Sequence, residues 1–532
     1  LSPRELMAHG ESDAIDFDAL IRAAVALLKG ETQVPGLAPD EIRDQLLQGF
    51  SHILVDEYQD IDAQQYELVS AIAGRTLAEA ESRLAIMAVG DDDQNVYAFR
   101  GANVAFIQRF QSDYPADTVY MVENFRSSAH IIAAANQLIA HNRDRMKGDH
   151  PIRIDRRREA EPAGGPWTDR DPLAQGRVQR MVVKDTAHQV GALFQELTRL
   201  AALAPEIAWE HCAVLGRTHE GLTPVRLFFE QKRIPLRRSL AHPLPYPRIR
   251  EIHCFLERLK SMESEIRAAS KLAPPAPGDG DPWAALLAEW HAAYQQETED
   301  AELPVQFFLD WLYEALAEER RERTIGRGVF LNTVHAAKGM EFDHVFILDG
   351  GWHPATERSK QEEERRLLYV GMTRARQTLC LLELERQGNP LIQSLAGDCL
   401  VRRAAAPGGE APAELMERRC DLLGLKDIFL SYAGTFTAEH PIHDHLERLA
   451  VGHQVQLVAG PAGIEVRDGD DFCVARLSRE GVGQWSGRLE TIVAARVVAM
   501  LRWSADDGGE GFRALAKTPA WEVPVIEIVS RR

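Results

Sequence analysis

The chain has 532 residues, 45% hydrophobic and 27% charged, with 61 Lys and Arg against 80 Asp and Glu and a net charge of −19. Such a length exceeds one hydrophobic core, so three or more domains are expected. The acidic balance excludes a generally basic nucleic-acid coat, although a local DNA channel needs only a few well-placed donors and aromatic platforms. No apolar run is long enough to cross a bilayer, so no membrane partner is expected. Six cysteines (Cys212, Cys254, Cys380, Cys399, Cys420, Cys473) lie far apart with no CxxC pair. That spacing indicates neither a zinc site nor a disulfide framework and fits a reducing, cytoplasmic setting. The sequence opens on Leu1 in mid-protein character, so a piece of a longer polypeptide is expected.

Taken in chain order, short apolar runs alternate with helical stretches. Ile53–Val55 runs into Asp56 and Glu57, and a helix is predicted over Gln64–Ile72. Leu84–Val89 runs into Gly90-Asp91-Asp92-Asp93-Gln94, and Val119–Val122 into Glu123-Asn124-Phe125-Arg126, followed by a helix over Ala129–Ala140. Arg156–Pro172 reads as a surface loop and Ala273–Asp281 as a flexible linker within an otherwise helical stretch, Glu251–Arg323. Val329–Leu331 leads into Asn332 and Thr333, and Val345–Leu348 into Asp349 and Gly350. Ala406–Ala413 is a Pro/Gly-rich join, and beyond Gly452 come alternating runs that suit a small antiparallel sheet or barrel. Runs this short and apolar fit strands buried on both faces of a parallel sheet. Strands alternating with helices mean an α/β fold whose ligands bind at the carboxyl ends of the strands, where the polar clusters fall.

Those clusters carry chemistry. A carboxylate pair ending a buried strand, as in Ile53-Leu54-Val55-Asp56-Glu57-Tyr58-Gln59-Asp60, can hold Mg²⁺ and orient an attacking water. Asp56 is assigned to the metal and Glu57 to the general base. In Gly90-Asp91-Asp92-Asp93-Gln94-Asn95-Val96-Tyr97-Ala98-Phe99-Arg100-Gly101-Ala102, Gln94 can reach a γ-phosphate. Tyr97 and Phe99 offer rings for base stacking, each worth ~1–3 kcal/mol, unless they belong to the core. Helical spacing in the block that ends Thr373-Arg374-Ala375-Arg376 turns Leu367, Leu368 and Met372 toward the core and leaves Arg374 near the helix end. Guanidinium groups there can neutralise a transferring phosphoryl group. Thr333, ahead of a predicted new helix, offers a phosphate site on DNA or nucleotide. His440, His443 and His445, close to Pro441, read as a solvated loop rather than a metal site.

Five blocks in order, DEYQD, GDDDQNVYAFRGA, NFRSS, TVHAAKGMEF and EERRLLYVGMTRAR, resemble the motifs of superfamily 1 helicases of the UvrD/Rep/PcrA group, over roughly residues 10 to 385. The resemblance implies two RecA-like P-loop NTPase-type parallel-sheet domains, the first incomplete, plus a small β-rich C-terminal domain. The expected division is 1–118 for the first RecA-like domain and 119–405 for the second, with a reduced helical insertion about 240–325, then 406–532. It implies ATP and Mg²⁺ as cofactors, single-stranded DNA and single-strand/duplex junctions as partners, and 3′-to-5′ unwinding in repair or replication. By the same resemblance, Glu57, Gln94, Arg126 and Arg374 form the catalytic set and Glu341 contacts nucleotide. Phe99 takes the base-stacking place, and Tyr97, Arg100, Thr333 and His335 lie near DNA or the coupling path. No GxxxxGK[ST] phosphate loop occurs in the chain, so it is expected to be inactive alone. The loop is expected upstream in a longer protein, unless this piece is degenerate, and an upstream fused domain or a partner protein is a further expected partner. The rival expectation is a motor remnant that binds DNA or protein without hydrolysis.

Overall fold

The computed structural model describes residues 17–32, 36, 38–77, 83–97, 101–143, 145–240, 244–276, 278, 281–322, 324–352, 357–406, 408–507 and 513–532. The strand His52–Val55 pairs in parallel with Ala85–Ala88. Between them the helix Ala63–Ala73 is set by its ends. Asp62 accepts from the amides of Gln64 and Gln65, Gln65 reciprocates to the Asp62 amide, and Gly74 closes the helix in the left-handed region. One face of this strand pair packs on a small core of Tyr58, Ile61, Tyr66, Phe106 and Ile107. The other face is bare: Leu54 and Met87, partners in register, are 74% and 58% exposed. These strands were expected to be covered on both sides.

The Val119–Val122 run is not a strand. Among the described residues pairing begins at Glu123–Asn124, against Arg153–Ile154, with the Arg153 amide also donating to the Val122 carbonyl, and Val119 and Met121 stand in solvent. The Arg156–Pro172 stretch is more ordered than a loop, since the helix Trp167–Arg170 anchors it through a wholly buried Trp167.

The centre of the molecule is an eight-stranded sheet. Its order is Thr324–Ile325, Leu236–Ser239, Val329–Thr333, Cys212–Gly216, Phe342–Ile347, Ala375–Leu384, Val178–Val183, Leu400–Ala404. All neighbours are parallel except the first pair. Strands such as Cys212–Gly216 and Val329–Thr333 are buried throughout, as continuous apolar runs in a covered parallel sheet require. The helices Ala129–Ile139 and Arg358–Met372 cover one face, with Leu367, Leu368 and Met372 in the core. Thr186–Leu203 and His219–Gln231 cover the other. The chain is thus an α/β protein built on a mostly parallel, RecA-like sheet.

A six-stranded antiparallel sheet follows, in the order Arg418–Leu423, Ala520–Arg531, Ile492–Ser504, Gln454–Gly460, Gly463–Arg467, Cys473–Arg476. The helices Arg250–Lys260, Pro282–Glu297 and Val305–Glu322 are inserted in sequence between strands of the eight-stranded sheet. By packing they go elsewhere. Ile252, Trp283 and Phe308 share one apolar core with Val497, Leu501 and Ile526 of the six-stranded sheet. Trp283 Nε1 donates to the Val498 carbonyl at 2.8 Å. Among the described residues no helix is long and apolar enough to cross a membrane.

Candidate functional site

The strand His52–Val55 ends in Asp56 and Glu57, and Glu57 takes a left-handed backbone (φ 50°) to start a short 3-10 turn. That turn is pinned to the next strand end. The Tyr58 amide donates to the Val89 carbonyl at 2.9 Å, and buried Gln59 accepts from the Asp91 amide at 2.9 Å. Asp91-Asp92-Asp93 is in turn held by cations and an amide: Arg145 grips Asp93 through two bonds of 2.7 Å, Lys147 pairs with Asp91, and the Met146 amide donates to Asp92. These acids are therefore satisfied structurally. Their fixed turn places Gln94, whose Nε2 donates to Asp91 at 2.8 Å.

The eight-stranded sheet supplies the facing side. Arg374 follows the helix Arg358–Met372 and is only 2% exposed. Its guanidinium donates to the Val370 and Met340 carbonyls and, at 3.0 Å, to Gln94 Oε1. Burial, and then the nearby Arg126, brings the Arg374 pKa down to about 10. Arg126 donates to Glu341 at 2.7 Å and to the Thr373 carbonyl, and that bond holds the Glu341 carboxyl below its usual range. Around Arg126, Glu341, Phe125 and Arg376 lies a cavity of about 360 Å³. Glu57, Gln94, Arg126 and Arg374 thus meet along one seam between the two sheets. Asp56 lies exposed at its edge, with one carboxylate oxygen accepting from the Glu57 amide.

Lys338, to which the TVHAAKGMEF resemblance assigns no role, is central to the seam. Its ammonium pairs with Asp60 and, at 3.2 Å, with Glu57, donates to the Gln94 carbonyl, and sits 5.2 Å from the centre of the Tyr97 ring. Tyr97 is half-buried and its hydroxyl donates to the His335 carbonyl at 3.4 Å, so the ring lies on the seam rather than in open solvent. The helix expected after Thr333 is a single 3-10 turn, His335–Ala337, because Lys338 turns extended at once to reach the opposite acids. Phe99 and Arg100 lie outside the described residues. The histidines near Pro441 do not form a loop: His440 caps the helix Pro441–Arg448, and His445 pairs with Asp468 at 2.6 Å.

Residues 7–115 match the UvrD/REP helicase N-terminal domain and residues 286–386 the UvrD-like helicase C-terminal domain. DNA helicase II of Escherichia coli is 27% identical over 482 residues, covering 76% of this chain and 64% of that protein. ATP-dependent DNA helicase UvrD1 of Mycobacterium bovis is 31% identical over 273 residues, covering 51% and 32%. ATP-dependent DNA helicase PcrA of Leuconostoc citreum is 28% identical over 462 residues, covering 70% and 58%. The chain therefore spans less than two thirds of the length of these relatives. A solved C-terminal domain of a possible helicase from Lactobacillus aligns at 13% identity with a TM-score of 0.25, too low to bear on the fold. The chain is an α/β protein, and its residues 7–115 and 286–386 are similar to the N- and C-terminal domains of UvrD-like helicases, the resemblance its five motifs led us to expect.

Proposed function

We propose that this chain is the greater part of an ATP-dependent DNA translocase or helicase that moves along single-stranded DNA in the 3′-to-5′ direction, in repair or replication. The observation that carries the reading is the bond between Arg374 and Gln94 across the seam, with Glu57 and Arg126 beside it. Charge developing on a transferring phosphoryl group would there meet two guanidiniums, one amide and one base. ATP would supply the phosphoryl group, and Mg²⁺ would offset the charge on its oxygens. Asp56 would hold that ion through water, and Glu341 with Arg126 would contact the nucleotide from the 360 Å³ cavity. Glu57 would take the proton of the attacking water once Lys338 releases it, since a carboxylate paired to an ammonium is a poor base. Tyr97, Thr333 and His335, with Phe99 and Arg100, would line the strand's path. We divide the chain at about 118 and 405, as the motif order suggests. The helical segment 240–325 is grouped with the C-terminal sheet by its core.

The 532 residues contain no GxxxxGK[ST] loop, so this chain by itself should hydrolyse ATP negligibly, and a phosphate cradle would come from outside it. The test has two stages. The chain alone should bind a fluorescent oligothymidylate, with affinity falling as salt rises. A polypeptide that also contains the phosphate loop should hydrolyse ATP faster when that oligonucleotide is added. Stimulation absent from such a polypeptide would favour the rival reading, a DNA- or protein-binding module without hydrolysis.

A further inference from the structure

A cavity of about 1020 Å³ opens between the eight-stranded sheet and the C-terminal six-stranded sheet. Thr333 and Arg238 line it from the first, and Cys420, Leu422 and Glu527 from the second. Arg238 pairs in register with Leu331, so alternation along the strand puts it on the same face as Thr333.

Five charged side chains meet beneath this cavity. Glu527 is bound by Arg226 and by Arg496 at 2.8 Å, and lies 3.3 Å from Arg238. Glu230 lies 2.9 Å from both Arg226 and Arg496, and 4.0 Å from Arg238. Three guanidiniums therefore face two carboxylates. The neighbouring Cys420 thiol is pushed up to about 11 by burial and stays neutral. Asp421 is taken by Arg419 and Arg488. One positive charge is left over, and Arg238, with a side chain 13% exposed, has the weakest partners. Burial, and then the facing Arg226, brings its pKa down to about 10, so it remains charged at neutral pH. An uncompensated buried charge is costly unless an anion or water reaches it, and here the open route is the cavity.

A cavity that offers a surplus guanidinium suits a singly charged oxyanion.

We infer that Arg238 binds one backbone phosphate of a single nucleic-acid strand in this cavity, so that the C-terminal sheet forms part of the groove through which the strand passes. The inference rests on the functional reading above and gives the C-terminal sheet a role in it. Arg238 lies outside every motif that points to helicase function.

The test uses the full chain and a fluorescent oligothymidylate, with anisotropy read across a salt series. Arg238→Met is expected to weaken binding roughly tenfold and to reduce the log–log salt slope by about 0.7, the value for one phosphate on a single strand. Arg238→Lys keeps the charge and is expected to keep the slope. Because Arg238→Met leaves two guanidiniums on two carboxylates, its melting temperature should equal or exceed that of the wild type. A purely structural arginine would show the opposite, a large loss of stability, and that result overturns the surplus-charge argument. Wild-type affinity and slope in a folded Arg238→Met chain overturn the inference alone. No oligonucleotide binding by the wild type overturns the functional reading and the inference with it.

Discussion

The ammonium of Lys338 lies 3.2 Å from a carboxylate oxygen of Glu57, joining the turn after Val329–Thr333 to the end of His52–Val55. Lys338 also pairs with Asp60, and its side chain is only 7% exposed. This one residue ties the small two-stranded lobe to the large sheet. Lys338→Ala is expected to cost about 3 kcal/mol, the usual range when one partner of a buried pair is removed. Denaturant unfolding combined with hydrogen exchange over residues 52–60 checks it. Unchanged protection in the variant would refute the latch.

Glu57→Gln should reduce ATP turnover by at least about 100-fold in any longer form of the protein that hydrolyses ATP, while nucleotide and oligonucleotide binding persist. The amide keeps the shape and loses the base. Steady-state hydrolysis and equilibrium binding, measured on the same preparation, separate the two; near-normal turnover would remove Glu57 from its assigned role.

Arg374→Lys retains the charge but loses the planar fork that reaches Gln94, Val370 and Met340 together. A fall in turnover of more than about 100-fold is expected, with single-strand affinity within twofold of the wild type. A variant that loses DNA binding in proportion to turnover would place Arg374 in the strand's path instead.

His344 gives the pH prediction. It is 2% exposed, hydrogen-bonds Thr378 at 2.9 Å and meets the Trp167 ring edge-on. Burial lowers its pKa from 6.5 to about 4. The folded state therefore refuses a proton that the unfolded state accepts. Stability is full above pH 6.5 and falls as pH drops from there toward 4, by about 3 kcal/mol in all. His344→Leu should flatten that part of the stability–pH curve. A curve of unchanged steepness between pH 6.5 and 4 would count against it.

Much of the site was legible before any fold was known. Asp56 and Glu57, Gln94 and Arg374 each follow an apolar strand or an amphipathic helix, and local periodicity alone places such residues at strand and helix ends. The alternation of those elements likewise gave an α/β fold, and the short runs beyond Gly452 gave an antiparallel sheet. Failures came where the outcome depended on a neighbour distant in sequence. Among the described residues Val119–Val122 has strand composition but no strand paired with it, and Leu54 and Met87 have buried-strand composition but are exposed.

What the sequence by itself determined is the inventory of reactive groups and the local element each one ends, because side-chain period and capping act over a few residues. Only the tertiary structure decided which groups meet. Arg374 and Gln94 are 280 positions apart, Lys338 and Asp60 278, and Arg226 and Glu527 301. No local pattern encodes such a pairing. The same limit hid the packing of the inserted helices on the C-terminal sheet, where apolar faces that look alike in sequence are sorted by which surface buries them.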